Sequence, residues 1–205
     1  MRDDSEKENI GTYQINWDEH ATYWDDSKDA KIFNELAWNH IERRISCTGL
    51  RVLDFGCGTG LLTDHLIHHA EEIVAMDKSI KMIEVLRAKN HPNVYPYQGE
   101  LTEEVLMSNS NFSKPFDLII AVSVCAFVPN YVQVLKHLRT LLSPDGLFIQ
   151  FDWLRQPEGP EFGFNFPMIK NAFSAAEFQL DSLSVPIRFN EGEDRLEVLM
   201  AVGKL

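Results

Sequence analysis

Three cysteines in 205 residues, Cys47, Cys57 and Cys125, are too few and too far apart to staple a fold. Their number is odd and no Cys-x-x-Cys pair occurs, so they encode neither a disulfide framework nor a zinc site. Cations are also scarce: 19 lysines and arginines face 31 aspartates and glutamates, a formal net charge of −12. Such a field repels a phosphate backbone and an anionic lipid surface. The short basic groups Arg43-Arg44 and His68-His69 form no stripe that would offset it. Neither nucleic acid nor membrane is therefore expected as a partner. No apolar run reaches the roughly 20 residues of a membrane span, and Met1–Asn9 lack the apolar stretch of a signal peptide, so a cytoplasmic location is expected. His65, His68, His69, His91 and His137 show no partner spacing for a metal and are read as surface or structural groups. No metal is expected.

What is present fits one globular domain, since a chain of this length buries a core without metals or cross-links. After a polar tail over 1–12, the segment 13–24 is rich in aromatics and acids, and Ile32, Phe33, Leu36, Ala37, Ile41 and Ile45 recur at helical spacing up to a stop near Gly49. Short apolar runs then alternate with helical periods. Strands are predicted over 51–55, 72–76, 93–97, 115–122 and 147–151, the last opened by a Ser143-Pro-Asp-Gly turn, and helices over 59–70, 79–90 and 131–142. This alternation predicts βαβ units, a parallel sheet and helices on both faces. A Pro/Gly-rich loop over 156–167, a helix over 168–178 and two strands, 183–189 and 195–202, complete the chain. The two strands lie close enough to pair as an antiparallel hairpin.

The most informative stretch is Val52-Leu53-Asp54-Phe55-Gly56-Cys57-Gly58-Thr59-Gly60. A strand runs into three alternate glycines and a helix, a place where backbone can approach a nucleotide-like ligand at the carboxyl end of a sheet. Asp77 ends the next strand, 17 residues after Gly60. A carboxylate there can accept from both hydroxyls of a ribose, or it can cap the helix that starts near Ser79. Two ligand classes fit. A dinucleotide favours G-x-G-x-x-G, whereas the spacing here is G-x-G-x-G. Asp54 would repel a pyrophosphate but attract a cationic amino group.

These motifs resemble the class I, seven-stranded S-adenosylmethionine-dependent methyltransferases, over about Tyr13 to Leu205. Val52–Gly60 matches the family's first motif, Asp77 its ribose-binding acid, Gly99-Glu100 the place of its usual Gly-Asp, Phe116–Ala121 its fourth strand and Leu142–Ile149 the turn into its fifth. The resemblance is to the small-molecule subgroup, similar to quinone-biosynthesis methyltransferases. It implies a three-layer Rossmann-like fold with a mostly parallel seven-stranded sheet and a C-terminal antiparallel hairpin. Within it, 1–48 would form a helical lid, 49–153 the cofactor-binding core and 154–205 a substrate-side loop and hairpin. It also implies S-adenosylmethionine as cofactor, S-adenosylhomocysteine as product and a small-molecule acceptor. The cofactor site it implies comprises Tyr23, Asp54, Gly56, Cys57, Gly58, Gly60, Asp77, Lys78, Met82, Glu100, Leu101 and Ala121. The sequence departs from the subgroup at Val124–Asn130, where two histidines are usual and Ala126 and Phe127 stand instead.

Methyl transfer needs alignment and exclusion of water more than a catalytic constellation. Candidates for the acceptor side are Tyr13, Trp17, His20, Tyr23 and Trp24 before the core, Asp152, Trp153 and Arg155 after the fifth strand, and Phe162, Phe164 and Phe166. The plain alternatives are packing for the aromatics, a solvated histidine for His20, which is the better reading there, and a loop cap for Asp152. Tyr23 and Asp152 are the candidates for a catalytic role. A protein acceptor, a non-catalytic cofactor-binding domain and an NAD-binding oxidoreductase stay open as alternatives, as do the methylated atom and the oligomeric state.

Overall fold

The structure, a computed structural model, describes residues 15–156, 162–191 and 194–205. The expected tail over 1–12, Tyr13, part of the 156–167 loop and the tip of the C-terminal hairpin lie outside the described residues. Two helices, α1 (Trp17–Trp24) and α2 (Lys28–Arg44), lead into β1 (Arg51–Phe55), α3 (Thr63–Leu66), β2 (Glu72–Asp77), α4 (Ile80–Ala88), β3 (Val94–Gln98) and α5 (Glu103–Ser108). Then follow β4 (Phe116–Val122), α6 (Tyr131–Leu141), β5 (Leu142–Trp153), α7 (Phe166–Ala175), β6 (Gln179–Glu191) and β7 (Asp194–Lys204).

The seven strands form one sheet in the order β3-β2-β1-β4-β5-β7-β6. The first five are parallel, and β7 runs antiparallel to both β5 and β6. Successive strands step outward from β1 to β3 and then, from β4, in the other direction. The reversal opens a crevice at the carboxyl ends of β1 and β4, where ligands bind in open α/β sheets. Side-chain alternation divides the core between the two faces. Leu53, Phe55 and Phe148 pack with Leu135 of α6 and Phe173 of α7. Val52, Ile73 and Ile149 pack with Ile41 of α2, Leu66 of α3 and Ile83 of α4. The expected three-layer fold and hairpin are therefore present.

Local chemistry moves several boundaries. Helix α2 starts at Lys28 because the Ser27 hydroxyl accepts from the Ala30 amide at 3.2 Å. The helix expected over 59–70 shrinks to Thr63–Leu66, since the Gly60 amide turns back to the Cys57 carbonyl at 2.9 Å and the following residues form turns. Strand β5 begins at Leu142, paired with Phe116. The register shift between Phe116 and Leu118 absorbs the Ser-Pro-Asp-Gly segment as a bulge rather than a free turn. Helix α7 starts at Phe166, capped by Asn165, whose side-chain oxygen accepts from the Met168 amide at 2.9 Å. Helix α1 falls inside the segment 1–48 expected as a helical lid, whereas helix α5 and the 3₁₀ turns Ser110–Phe112 and Cys125–Phe127 have no counterpart in the sequence reading.

Candidate active site

The glycine turn is tied to the neighbouring strand before it reaches any ligand. The Gly56 and Cys57 amides both donate to the Met76 carbonyl, at 2.7 and 3.0 Å. Gly56 has φ +75°, and a Cβ there would lie 2.3 Å from Val124 Cγ2, so only glycine lets the end of β1 meet the end of β4. The Gly58 amide donates to Asp77 Oδ2 at 2.9 Å, and the Ser79 amide donates to Asp77 Oδ1 at 2.8 Å. Both readings of Asp77 therefore meet in one carboxylate, which braces the turn below α4 and also lines the cavity.

That cavity, about 360 Å³, lies in the crevice between β1 and β4. Its walls include Asp54, Gly56, Cys57, Gly58, Asp77, Lys78, Met82, Glu100 and Leu101, which brings together nine of the expected cofactor residues. Asp54 is 2% exposed and accepts from the Thr63 hydroxyl at 2.6 Å. Burial raises its carboxyl to about 7, helped by the nearby Asp77 and Asp64 and opposed by the Thr63 hydrogen bond. Burial likewise raises Asp77, against the Ser79 and Gly58 amides. Two carboxyls at one end of a mostly apolar cavity suit a ligand with a cation and hydroxyl donors there and suit a pyrophosphate poorly.

Three expected cofactor residues lie off the cavity wall. Tyr23 is 72% exposed, because α1 turns its Trp17 and Trp24, two helical turns apart, toward the cavity and leaves Tyr23 about 100° away. Gly60 sits beneath the turn with φ +89°, and a Cβ there would stand 2.5 Å from Leu86 Cδ1, so its role is packing against α4. Ala121 is fully buried in β4, and Val122, Ser123 and Val124 beyond it face the cavity instead.

The acceptor-side candidates divide similarly. Trp17 meets Trp24 and Phe127 edge to face, at 5.8 and 5.3 Å between ring centroids, which closes the cavity between α1 and the 3₁₀ turn. His20 stands 6.0 Å from Trp17 and off the cavity wall. Trp153 stacks on Phe33 at 5.3 Å, and Phe164 packs on Tyr131 at 4.8 Å. Neither they nor Arg155, Phe162 and Phe166 line the cavity. Asp152, the other candidate for a catalytic role, is fully buried behind the site. It accepts from the Gln150 side chain at 2.9 Å and the Ala126 amide at 3.3 Å, so it braces the turn that carries Phe127. Burial raises its carboxyl to about 7.

Sequence reasoning missed Ser123, Gln133 and His137 on the cavity wall. His137, expected as a surface or structural group, lies on this wall. Its Nδ1 lies 3.3 Å from the Leu101 carbonyl oxygen and its Nε2 3.0 Å from the Gln133 side-chain nitrogen. The i, i+4 spacing of Gln133 and His137 was the available signal. The remaining histidines behave as expected: His65 and His69 lie against Trp38, and His91 meets Asp64 at 2.9 Å. No cluster among the described residues could hold a metal ion, and no helix among them is long and apolar enough to cross a membrane.

Residues 53–148, which carry the end of β1, all of β2 to β4, the first half of β5 and most of the cavity wall, match a family described as a methyltransferase domain. Over that span, just under half of its length, the chain is similar to this methyltransferase family. It is similar to the ubiquinone biosynthesis O-methyltransferase of Histophilus somni, 28% identical over 133 residues, which is 62% of this chain and 56% of that protein. The chain spans about half the length of the curated relatives it matches. Among solved structures, the fold resembles an S-adenosylmethionine-dependent methyltransferase from Aquifex aeolicus, 16% identical with a TM-score of 0.68, covering 91% of this chain and 97% of that one. It also resembles DhpI, solved in complex with S-adenosylmethionine, 20% identical with a TM-score of 0.67, covering 92% and 94%. The sheet whose strand reversal holds the cavity is thus part of the fold that this chain shares with these structures.

Proposed function

We propose that the protein is an S-adenosylmethionine-dependent methyltransferase acting on a small molecule. The observation that carries this is the pairing of Asp54 and Asp77 around the glycine turn at one end of a mostly apolar, aromatic-capped cavity. Bound S-adenosylmethionine supplies a methyl group already activated on a sulfonium. Asp54 pairs with the cofactor's amino group, and Asp77 keeps lone pairs free of the Gly58 and Ser79 amides to accept from ribose hydroxyls. Glu100 accepts from the adenine amino group, while Met82, Leu101 and the stem of Lys78 flank the ring. Trp17, Trp24 and Phe127 exclude water from the transfer.

This reading needs no base built into the wall, because alignment supplies most of the rate. It also gives the protein no nucleic-acid partner, in keeping with the net charge of −12. A cytoplasmic place agrees with three free, buried cysteines. The relatives' printed activity, O-methylation in ubiquinone biosynthesis, favours a hydroxylated acceptor. The test is formation of S-adenosylhomocysteine from S-adenosylmethionine with a panel of phenols and catechols, alongside labelled-methyl incorporation into lysate proteins. Turnover confined to small molecules supports the proposal, and label found only in protein refutes it.

A further inference from the structure

The first residue after β4 is unusual in two ways. Ser123 has φ +54°, in the left-handed region that L side chains rarely adopt. It also lies where the strand order reverses, at the carboxyl ends of β1, β4 and β5. Its amide donates to the Phe151 carbonyl at 2.7 Å, extending the β4–β5 ladder by one residue before the chain turns. Glycine would make that turn without strain, so the backbone gives no reason for a serine.

The surrounding wall supplies one. Between 122 and 129 the cavity is lined by Val122, Ser123, Val124, Phe127, Val128 and Pro129, and Ser123 is the one polar side chain of the six. Its hydroxyl makes no hydrogen bond within the described residues. Cys125, the other small polarisable group of this stretch, is buried away from the cavity beside Asp152. A strained residue with an unpaired hydroxyl, set in an apolar wall at the strand reversal, is the arrangement expected of a ligand contact.

We propose that Ser123 is the acceptor-positioning residue of this site, its hydroxyl hydrogen-bonded to the hydroxyl oxygen of a phenolic small molecule. This rests on the methyltransferase reading above. Val124 and Phe127 give the ring apolar surface, and Ser123 fixes which of its atoms points into the crevice. A hydroxyl can donate or accept, so the same contact serves a phenol or its phenolate.

The test uses the full chain, catechol as probe and S-adenosylhomocysteine as cofactor product, with three variants. Ser123→Gly removes the hydroxyl and the strain, Ser123→Ala removes the hydroxyl alone, and Ser123→Asn tolerates the left-handed backbone while keeping a hydrogen-bonding group. All three are expected to bind S-adenosylhomocysteine within about twofold of wild type, and the glycine variant to melt no lower than wild type. Catechol binding to the S-adenosylhomocysteine-loaded protein should weaken about tenfold in the glycine and alanine variants, the loss of one hydrogen bond, and recover in the asparagine variant. Unchanged catechol affinity in both truncated variants would overturn the assignment. So would a wild-type protein that binds S-adenosylhomocysteine but not catechol. Failure of wild type to bind S-adenosylhomocysteine would instead count against the methyltransferase reading itself.

Discussion

The Asp77 carboxylate holds the Gly58 amide at 2.9 Å, so the residue that faces the ligand also sets the shape of the turn that approaches it. Replacing it removes two effects together. Asp77→Ala is expected to weaken S-adenosylhomocysteine binding by about 2 kcal/mol, since hydrogen bonds to a charged group are lost. Asp77→Asn can still accept from one amide and should lose less. Calorimetric affinities of the two folded variants check this, and wild-type affinity in Asp77→Ala would refute the assignment.

Gly56 tests the steric side of the same turn. A Cβ at Gly56 would meet three Val124 atoms at 2.3 to 2.9 Å, two of them methyl carbons, on a backbone at φ +75°. Gly56→Ala should therefore cost about 1–3 kcal/mol of stability, as overpacking does, and should abolish cofactor binding by pushing β1 and β4 apart. Urea denaturation and titration together measure both effects. A variant as stable as wild type would contradict the close approach.

Two buried carboxyls should make stability depend on pH. Burial lifts Asp54 and Asp152 from an ordinary 3.8 to about 7. The folded chain then holds more protons than the unfolded chain between the two values. The stabilising effect of these protons is complete below the ordinary value and is lost as pH rises through 7. Thermal melts from pH 5 to 8 should show this decline, and Asp152→Asn should make it shallower. An equal slope in the variant would show that Asp152 is not protonated in that range.

Ligand binding should draw on the same proton. A cationic amino group beside Asp54 lowers its carboxyl toward the ionised form, so S-adenosylmethionine binding at pH 6.5 should release protons to the buffer. Calorimetry in buffers of different ionisation enthalpy reads this directly, and Asp54→Asn should abolish it.

Helix α1 is held over the cavity at both ends. Asp18 accepts from the Ser79 hydroxyl and from the Lys81 amide at 3.3 Å. Asp25 accepts from the Thr59 hydroxyl and pairs with Lys89 at 3.3 Å, and Lys89 also pairs with Asp64 at 2.7 Å. Loosening the second clasp with Lys89→Ala should speed cofactor release several-fold and expose Trp17 and Trp24 to fluorescence quenching. Unchanged quenching would show that α1 does not depend on the clasp.

The strand-helix alternation, the glycine turn and Asp77 were legible because each rests on local pattern: a period, a required backbone conformation, a carboxylate at a strand end. What was not legible depends on direction in space. Tyr23 and Trp24 are sequence neighbours, yet helix geometry exposes one and sets the other, half-buried, against the glycine turn. Asp152 looked like a base at a strand's end because nothing in its neighbours reveals that Gln150 and the Ala126 amide occupy it. Ser123 carried no signal, since its left-handed backbone arises from how β4 leaves the ladder with β5. His137 was missed because its partner, the Leu101 carbonyl, is 36 residues away in sequence.

Calorimetric titration of the full chain with S-adenosylmethionine, S-adenosylhomocysteine and NADH in parallel is the most direct test of the cofactor assignment. Micromolar binding of the first two, with no heat from NADH, is the expected result. Binding of NADH alone, or of none of the three, would contradict the assignment of Asp54, Asp77 and the glycine turn to S-adenosylmethionine.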